Sequence, residues 1–190
     1  MIELKNICKK FGENVVLEGF SLKLSAGDKI ALMGASGCGK TTLLHIAAGL
    51  TKADSGSVER TGEFALMFQE PRLLSWCNAK ENITAILPKD KHELADKYLS
   101  AVGLADATDK YPHELSGGMA QRVAFARFLA FAEETDAGIL LLDEPFSALD
   151  SDTADKMLSL LDKFAESKTL LIVTHDESHA EKLGAKIIGI

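Results

Sequence analysis

Gly34-Ala35-Ser36-Gly37-Cys38-Gly39-Lys40-Thr41 sets three glycines ahead of a lysine and a hydroxyl residue, in the pattern G-x-x-x-x-G-K-S/T. Glycines let the backbone bend until successive N–H groups converge on an anion, and a helix starting there adds its positive end. Lys40 would place a cation beside the β- and γ-phosphates of a nucleotide, and the Thr41 hydroxyl would ligate Mg²⁺. Residues Gly34 to Thr42 are therefore the candidate phosphate-binding segment, with Lys40 also a candidate catalytic group. A second chemical pair, Asp143-Glu144, follows the apolar run Ile139 to Leu142. A carboxylate at the end of a buried strand can hold Mg²⁺ through its water shell, the role read for Asp143. Glu144, one residue on, can orient and activate an attacking water. A third element is Leu115-Ser116-Gly117-Gly118-Met119. A serine and two glycines opening a helix leave backbone N–H groups facing outward, a second anion site. Serine is also an ordinary helix N-cap, and these residues taken alone allow either role.

Such groups work only if the chain brings them together. Ile2, Leu4 and Ile7 nearly alternate with polar residues, and Phe20, Leu22 and Leu24 do so strictly, as half-buried strands would. Ile30–Met33, Phe64–Phe68, Ile139–Leu142 and Leu170–Val173 are short continuous apolar runs, as expected of strands buried on both faces. Between them the spacing predicts a helix from Lys40 to about Gly49, one from near Ser116, and one carrying Met157, Leu160, Leu161 and Phe164 on one face. Leu94, Tyr98 and Val102 give a further helical face that stops at Gly103. Strands alternating with helices imply an α/β fold with a mostly parallel sheet covered on both faces. The helical stretch in the middle reads as an insertion. A single domain over 1–190 is expected, with an α/β core at about 1–71 and 126–190 and a helical subdomain at about 72–125.

Composition bounds the function. The 190 residues are 46% hydrophobic and 26% charged, ordinary for a globular chain with a substantial core. The net charge of −7, with no dense Lys/Arg cluster, argues against a nucleic-acid partner. Lys9-Lys10 and Lys89-Asp90-Lys91 read as solvated surface. Three cysteines, Cys8, Cys38 and Cys77, with no CxxC spacing, fit neither a disulfide framework nor a zinc site and suit a reducing compartment. The start of the chain lacks the pattern of a signal peptide, and no apolar stretch approaches the ~20 residues that span a bilayer. A cytosolic chain is expected, with any membrane-spanning part supplied by another chain.

In this order along the chain, the three elements resemble the ATP-binding cassette (ABC) ATPases, which combine a phosphate loop, an LSGGQ signature and an Asp-Glu strand. Leu115-Ser116-Gly117-Gly118-Met119 matches the signature except at its last position, and Ala120 to Arg127 is similar to the family's continuation. The resemblance implies a P-loop NTPase core that binds ATP and Mg²⁺ and hydrolyses ATP. It further implies that Gln69 is the Q-loop glutamine that touches metal and attacking water, so Gln69 joins Thr41 and Asp143 as a metal candidate. Ser147-Ala148-Leu149-Asp150 resembles the D-loop, which makes Asp150 a nucleotide-site candidate, and His175 the switch histidine at the γ-phosphate. Phe11 is the counterpart of the aromatic that stacks on adenine, or else a core residue. His45, His92, His113 and His179 are read as non-catalytic. Phe68 to Trp76 and Tyr111-Pro112-His113 resemble importers of nitrate, sulfonate and taurine, although Ser75 stands where those have proline. By this resemblance two copies pair head to tail with Ser116, Gly117 and Gly118 of one facing the phosphate loop of the other. A transmembrane permease binds the pair at the cytoplasmic face of the membrane, and a substrate-binding protein takes part indirectly. The stop at Ile190 reads as a core without a regulatory domain. Two alternatives are a non-transport ABC ATPase with a membrane partner, as in cell division, and a small-molecule kinase carrying the same phosphate loop.

Overall fold

Each apolar run expected to be a strand is one, and the computed structural model describes residues 1–190. In chain order the strands are β1 (Ile2–Phe11), β2 (Asn14–Leu24), β3 (Lys29–Met33), β4 (Ser55–Arg60), β5 (Phe64–Met67), β6 (Ile139–Asp143), β7 (Thr169–Val173) and β8 (Lys186–Gly189). The α-helices are α1 (Lys40–Ala48), α2 (Ala79–Thr84), α3 (Glu93–Ala101), α4 (Gly117–Glu134), α5 (Ser151–Phe164) and α6 (Glu177–Lys182). The strands form a three-stranded antiparallel sheet, β2-β1-β4, and a five-stranded sheet, β5-β6-β7-β3-β8, in which every pairing is parallel.

The parallel sheet explains why its strands read as unbroken apolar runs. Successive side chains point to opposite faces, and here both faces are covered. Leu140, Leu142, Leu170 and Ile172 join the core beneath α4 and α5. Ile139, Leu141, Leu171 and Val173 join the core that the sheet shares with α1 and the antiparallel sheet. Helix α1 is buried at Leu43, Leu44, Ile46 and Ala47, wedged against strand side chains Ile2, Leu4, Leu22 and Leu24. Gly49 ends it in the left-handed conformation, where the spacing puts the stop.

Two strands escaped the sequence reading. All residues of β4 are exposed, so it carries no apolar period; it is recruited to β1 by backbone pairing, Leu4 opposite Val58. Strand β8 is likewise mostly exposed and pairs with β3. Lys9, expected to be solvated, is instead tied to Asp54 ahead of β4, with Nζ 2.9 Å from the carboxylate.

Helices α2, α3 and α4 pack on one another beside β5. Position 125, the expected end of the helical insertion, lies inside the unbroken helix α4. The apolar core is also continuous across it, from Tyr98 and Leu99 on α3 to Ala65 and Leu140 on the sheet. The end of the β5–α2 loop next to α2 is held by a buried side chain. The Asn82 amide donates to Leu74 O, Cys77 O and Asn78 O, and its oxygen accepts from Leu74 N. Asn82→Ala leaves Leu74 N and Cys77 O without a partner, since Leu74 O and Asn78 O also accept from Cys77 N and Asn82 N, at roughly 1–3 kcal/mol for each that water cannot reach. Chemical denaturation of the variant is expected to show a loss of about 2–3 kcal/mol, and a loss under 0.5 kcal/mol would mean the loop is held by other contacts.

Candidate active site

Four parallel strands end on the same edge of the sheet, and the chemistry lies in the loops that leave them. Strand β3 runs into Gly34, β5 into Phe68-Gln69, β6 into Glu144 and β7 into Thr174-His175. This is the edge of an open α/β sheet where ligands bind.

After β3 the chain must turn sharply into α1. Gly34 and Gly39 have φ of 155° and 104°. A Cβ on Gly34 would lie 2.6 Å from Ile190 O, and one on Gly39 2.9 Å from both Cγ1 and O of Val16. Neither site admits a side chain without movement. Gly39 is also the N-cap of α1, and no side chain caps that helix. Its first-turn N–H groups are left for a ligand, with the positive end of the helix dipole behind them. Lys40 is buried, and its Nζ donates to Gly34 O at 2.9 Å and Ala35 O at 2.8 Å, with Cys38 Sγ at 3.7 Å. The ammonium has three protons: two brace the loop carbonyls, and the third goes to Cys38 Sγ, a weak acceptor that a phosphate oxygen could replace.

The cleft over this loop has a volume of about 270 Å³ and is lined by Ser36, Gly37, Gly39, Lys40, Thr41 and Thr42. Phe11, Val16, Gln69 and Glu144 complete its wall. Phe11 is 55% exposed, so it is a wall of the cleft and not part of the core. Asp143 lies beneath: the Thr41 hydroxyl donates to its Oδ1 at 3.1 Å. Asp143 is 1% exposed, and burial pushes its carboxyl above the usual range, with the Thr41 hydrogen bond opposing that shift.

Glu144 has φ of 41°, a left-handed conformation for a residue with a side chain, costing on the order of 1–3 kcal/mol. Its N–H donates to Val173 O at 3.0 Å, and its carbonyl accepts from Ser147 Oγ at 3.1 Å. These bonds hold the strained residue, and its Oε2 is 3.4 Å from His175 Nδ1. Gln69, Lys40, Thr41, Asp143, Glu144 and His175 thus form one connected group.

The remaining candidates lie elsewhere. Ser116, Gly117, Gly118 and Asp150 do not line the cleft. Ser116 N-caps α4, its Oγ accepting from Met119 N at 3.2 Å. Its hydroxyl proton stays free, and Ser116 and Gly117 face solvent. A Cβ on Gly118 would sit 3.4 Å from Ala148 O, so this corner abuts the loop that Asp150 closes. Asp150 N-caps α5 through a bond from Thr153 N, which holds its carboxyl below the usual range.

Three contributing residues were not singled out from sequence. Val16 walls the cleft beside Phe11. Gln121, buried on α4, donates from Nε2 to Pro145 O at 2.9 Å and Gln69 O at 3.4 Å. Arg127, two turns on, donates to Pro71 O and Arg72 O at 2.6 and 3.0 Å. The available signal was two polar residues set among the apolar residues of one helix.

Comparison with known proteins bears on the family and the fold. The family model described as ABC transporter matches residues 17–147. The aliphatic sulfonates import ATP-binding protein SsuB 1 of Pseudomonas syringae pv. syringae (strain B728a) is 44% identical over 185 residues, covering 95% of this chain and 76% of the relative. A protein of the same description from Paraburkholderia xenovorans (strain LB400) is 40% identical over 195 residues, covering 98% of this chain and 56% of that protein, so the chain spans little over half its length. Among solved structures, a dimeric, post-hydrolysis state of the ATP-binding cassette MJ0796 bound to ADP and Pi superposes with a TM-score of 0.89 at 31% identity, covering 100% of this chain and 94% of the other.

Removal of the Lys40 ammonium deletes a charge-assisted hydrogen bond worth roughly 1.5–3 kcal/mol. Lys40→Ala is expected to weaken nucleoside triphosphate binding about tenfold to a hundredfold in equilibrium titration. Unchanged affinity would remove the 34–42 loop as the phosphate site.

Proposed function

The chain belongs to the ABC transporter family, and from that premise we infer that it is the ATP-binding, ATP-hydrolysing subunit of a small-solute importer. The observation that carries this reading is the junction of Thr41 with Asp143, which brings the carboxylate pair of β6 to the phosphate loop. The names of the relatives point to aliphatic sulfonates as the solute class.

In the proposed reaction Lys40 and the first-turn amides of α1 hold the β- and γ-phosphates. The Thr41 hydroxyl and Asp143 are hard oxygen donors, a fit for Mg²⁺, which is usually held by one or two carboxylates together with substrate phosphates and water. A cation there would also compensate the buried Asp143 carboxylate, and its chemistry would be to neutralise charge on the transferred phosphoryl group. Gln69 is exposed on the wall of the same cleft, and in this reading it also serves the metal. Glu144 orients a water for in-line attack and takes its proton, and His175 bridges Glu144 and the γ-phosphate. Phe11, with Val16 beside it, offers a face for the adenine.

Ser116, Gly117, Gly118 and Asp150 act in this reading on the nucleotide of a second copy, paired head to tail. We assign residues at about 72–125 to a helical subdomain and 1–71 with 126–190 to the α/β core, α4 passing between them. A transmembrane permease docks on the loop between Gln69 and α2, placing the pair on the cytoplasmic face of the membrane. A substrate-binding protein delivers the solute to that permease from the other side. Trp76 is 73% exposed in this loop, and the start of the loop opens on a largely apolar groove of about 200 Å³ formed by Leu66, Phe68, Pro71, Ile86 and Phe131. Leu73, by contrast, packs against the core. No helix is long and apolar enough to cross a membrane, so the spanning part belongs to the permease.

Glu144→Gln keeps the shape of the site and removes the base. Hydrolysis is expected to slow ~10²–10⁴-fold with ATP binding retained, and the variant with Mg²⁺ and ATP should elute as a dimer in size-exclusion chromatography. Wild-type turnover would take Glu144 out of the mechanism.

Trp76→Ala tests the transport assignment. Aromatic anchors often cost 2 kcal/mol or more, roughly, when truncated at an interface. Pull-down from solubilised membranes is expected to recover far less permease with the variant, while ATP hydrolysis by the isolated subunit stays close to wild type. Recovery of no membrane protein by the wild-type chain, under any nucleotide condition, would overturn the transport reading while leaving the ATPase intact.

A further inference from the structure

His175 is flanked by two residues that are both tied to one imidazole, that of His179. Thr174 is buried, and its Oγ1 accepts the Asp176 N–H at 3.1 Å. The same oxygen is 3.1 Å from His179 Nδ1. With one hydrogen bond accepted, the hydroxyl still has its own proton to give, and it gives it to Nδ1 in the tautomer that carries the ring proton on Nε2. That proton faces Asp176 Oδ2 at 3.6 Å, while Asp176 Oδ1 accepts from Ser178 N at 2.9 Å and starts α6. Thr174 Oγ1 thus joins the His179 ring to the Asp176 N–H, and the Asp176 carboxylate stands on the far side of the ring without a hydrogen bond to it. The His179 ring stands edge-on to Phe146, centroids 5.9 Å apart, and its side chain is 13% exposed. His175, between the two tied residues, has a side chain that is 65% exposed. A turn this exposed would fray unless something beneath it fixed both of its ends.

We propose that His179 is a positioning residue that clamps the 174–176 turn from beneath and so presents the His175 imidazole to Glu144 and the γ-phosphate. The inference rests on the reading of His175 as a γ-phosphate contact. His179 touches none of the reacting atoms. Its acceptor role needs a neutral ring. Burial holds its pKa below the ordinary imidazole range; His175 on the turn and Lys182 on its own helix push the same way, while Asp176 on the turn and Asp155 on α5 oppose them.

Three variants separate the clamp from packing. His179→Leu fills the space against Phe146 but accepts no hydrogen bond. His179→Asn can set its amide oxygen close to where Nδ1 stands. Thr174→Val removes the same hydrogen bond from the other end at nearly constant volume. Steady-state ATP hydrolysis is expected to show kcat lowered roughly 10- to 100-fold in His179→Leu and Thr174→Val, the scale of a small misplacement of a reacting group. KM for ATP should stay within about twofold, because the phosphate loop is untouched. His179→Asn should recover most of the lost kcat. Wild-type kcat in Thr174→Val, or in a His179→Leu that folds, overturns the proposal. Equal loss in His179→Leu and His179→Asn also overturns it, since packing alone would then explain the effect. His175→Ala, assayed alongside, tests the underlying reading: wild-type turnover there refutes the role of His175 itself, whereas loss there with normal turnover in the other three refutes only the clamp.

Discussion

A hydrogen bond from the Thr41 hydroxyl to Asp143 joins the start of α1 to the end of β6, 102 residues apart in the chain. Its existence requires a carboxylate at 1% exposure, an unfavourable place for charge. The cost is offset by apolar packing nearby. Leu43, Leu44 and Ile46 hang from the same short helix into the core, and each is worth roughly 1.5–3 kcal/mol when fully buried. Those three side chains fix α1 in place with several times the energy of the Thr41–Asp143 bond itself, about 1 kcal/mol net. The polar junction therefore does not hold the fold together. The fold holds the junction, and the site exists because α1 cannot move away from β6.

The same logic accounts for the other site residues. The strained φ at Glu144 costs on the order of 1–3 kcal/mol, and it persists because β6 and β7 are buried along their whole lengths. Strand ends that cannot shift can impose unfavourable geometry on the residues that follow them. Where no strand supplies that rigidity, α4 supplies it. Gln121 fastens Gln69 O and Pro145 O to one side chain, and Arg127 fastens Pro71 and Arg72. Burial lowers the Arg127 pKa without any carboxylate partner, so the guanidinium is committed to backbone carbonyls. One helix thus bears Ser116 at its start and grips both loops beside the cleft further along.

Sequence alone gave up the parallel sheet readily, because strands covered on both faces must be apolar throughout, as in Leu140–Leu142 and Leu170–Val173. The phosphate loop was legible because its glycines answer backbone constraints that no other residue meets at Gly34 and Gly39. Strands β4 and β8 were not legible. Their pairing is made by main-chain groups that every sequence carries, and their side chains are mostly exposed, Ile188 alone packing against the core. Gln121 and Arg127 were missed for a related reason: they bind carbonyl oxygens of distant loops, and a carbonyl leaves no mark in the sequence. His179 was set aside as a lone histidine, since its partners, Thr174 and Asp176, become meaningful only once the turn brings them to one ring. The signature residues were legible as a motif but not as part of this cleft, because within one chain they face solvent.

That separation has a thermodynamic consequence on the proposed pairing. The two helix starts differ: α1 has no side-chain cap and offers its amides freely, whereas α4 is already capped by Ser116, which has only a hydroxyl proton left to give. In this reading the phosphate loop, with its uncapped helix start and Lys40, binds nucleotide by itself, while the signature, with one of its first-turn amides already capped, adds to a nucleotide held by the other copy. A nucleotide lodged on one phosphate loop supplies the missing anion to the other chain's signature, so it contacts both copies only when they are paired. A ligand that binds the paired state better than the separate one stabilises it by mass action, in proportion to that difference in affinity. Cleavage of the γ-phosphate removes the part of the ligand that the signature would hold, and the difference falls with it. Assembly and release of the pair then follow from where one serine and two glycines stand relative to the cleft, without any hinge in the parallel sheet.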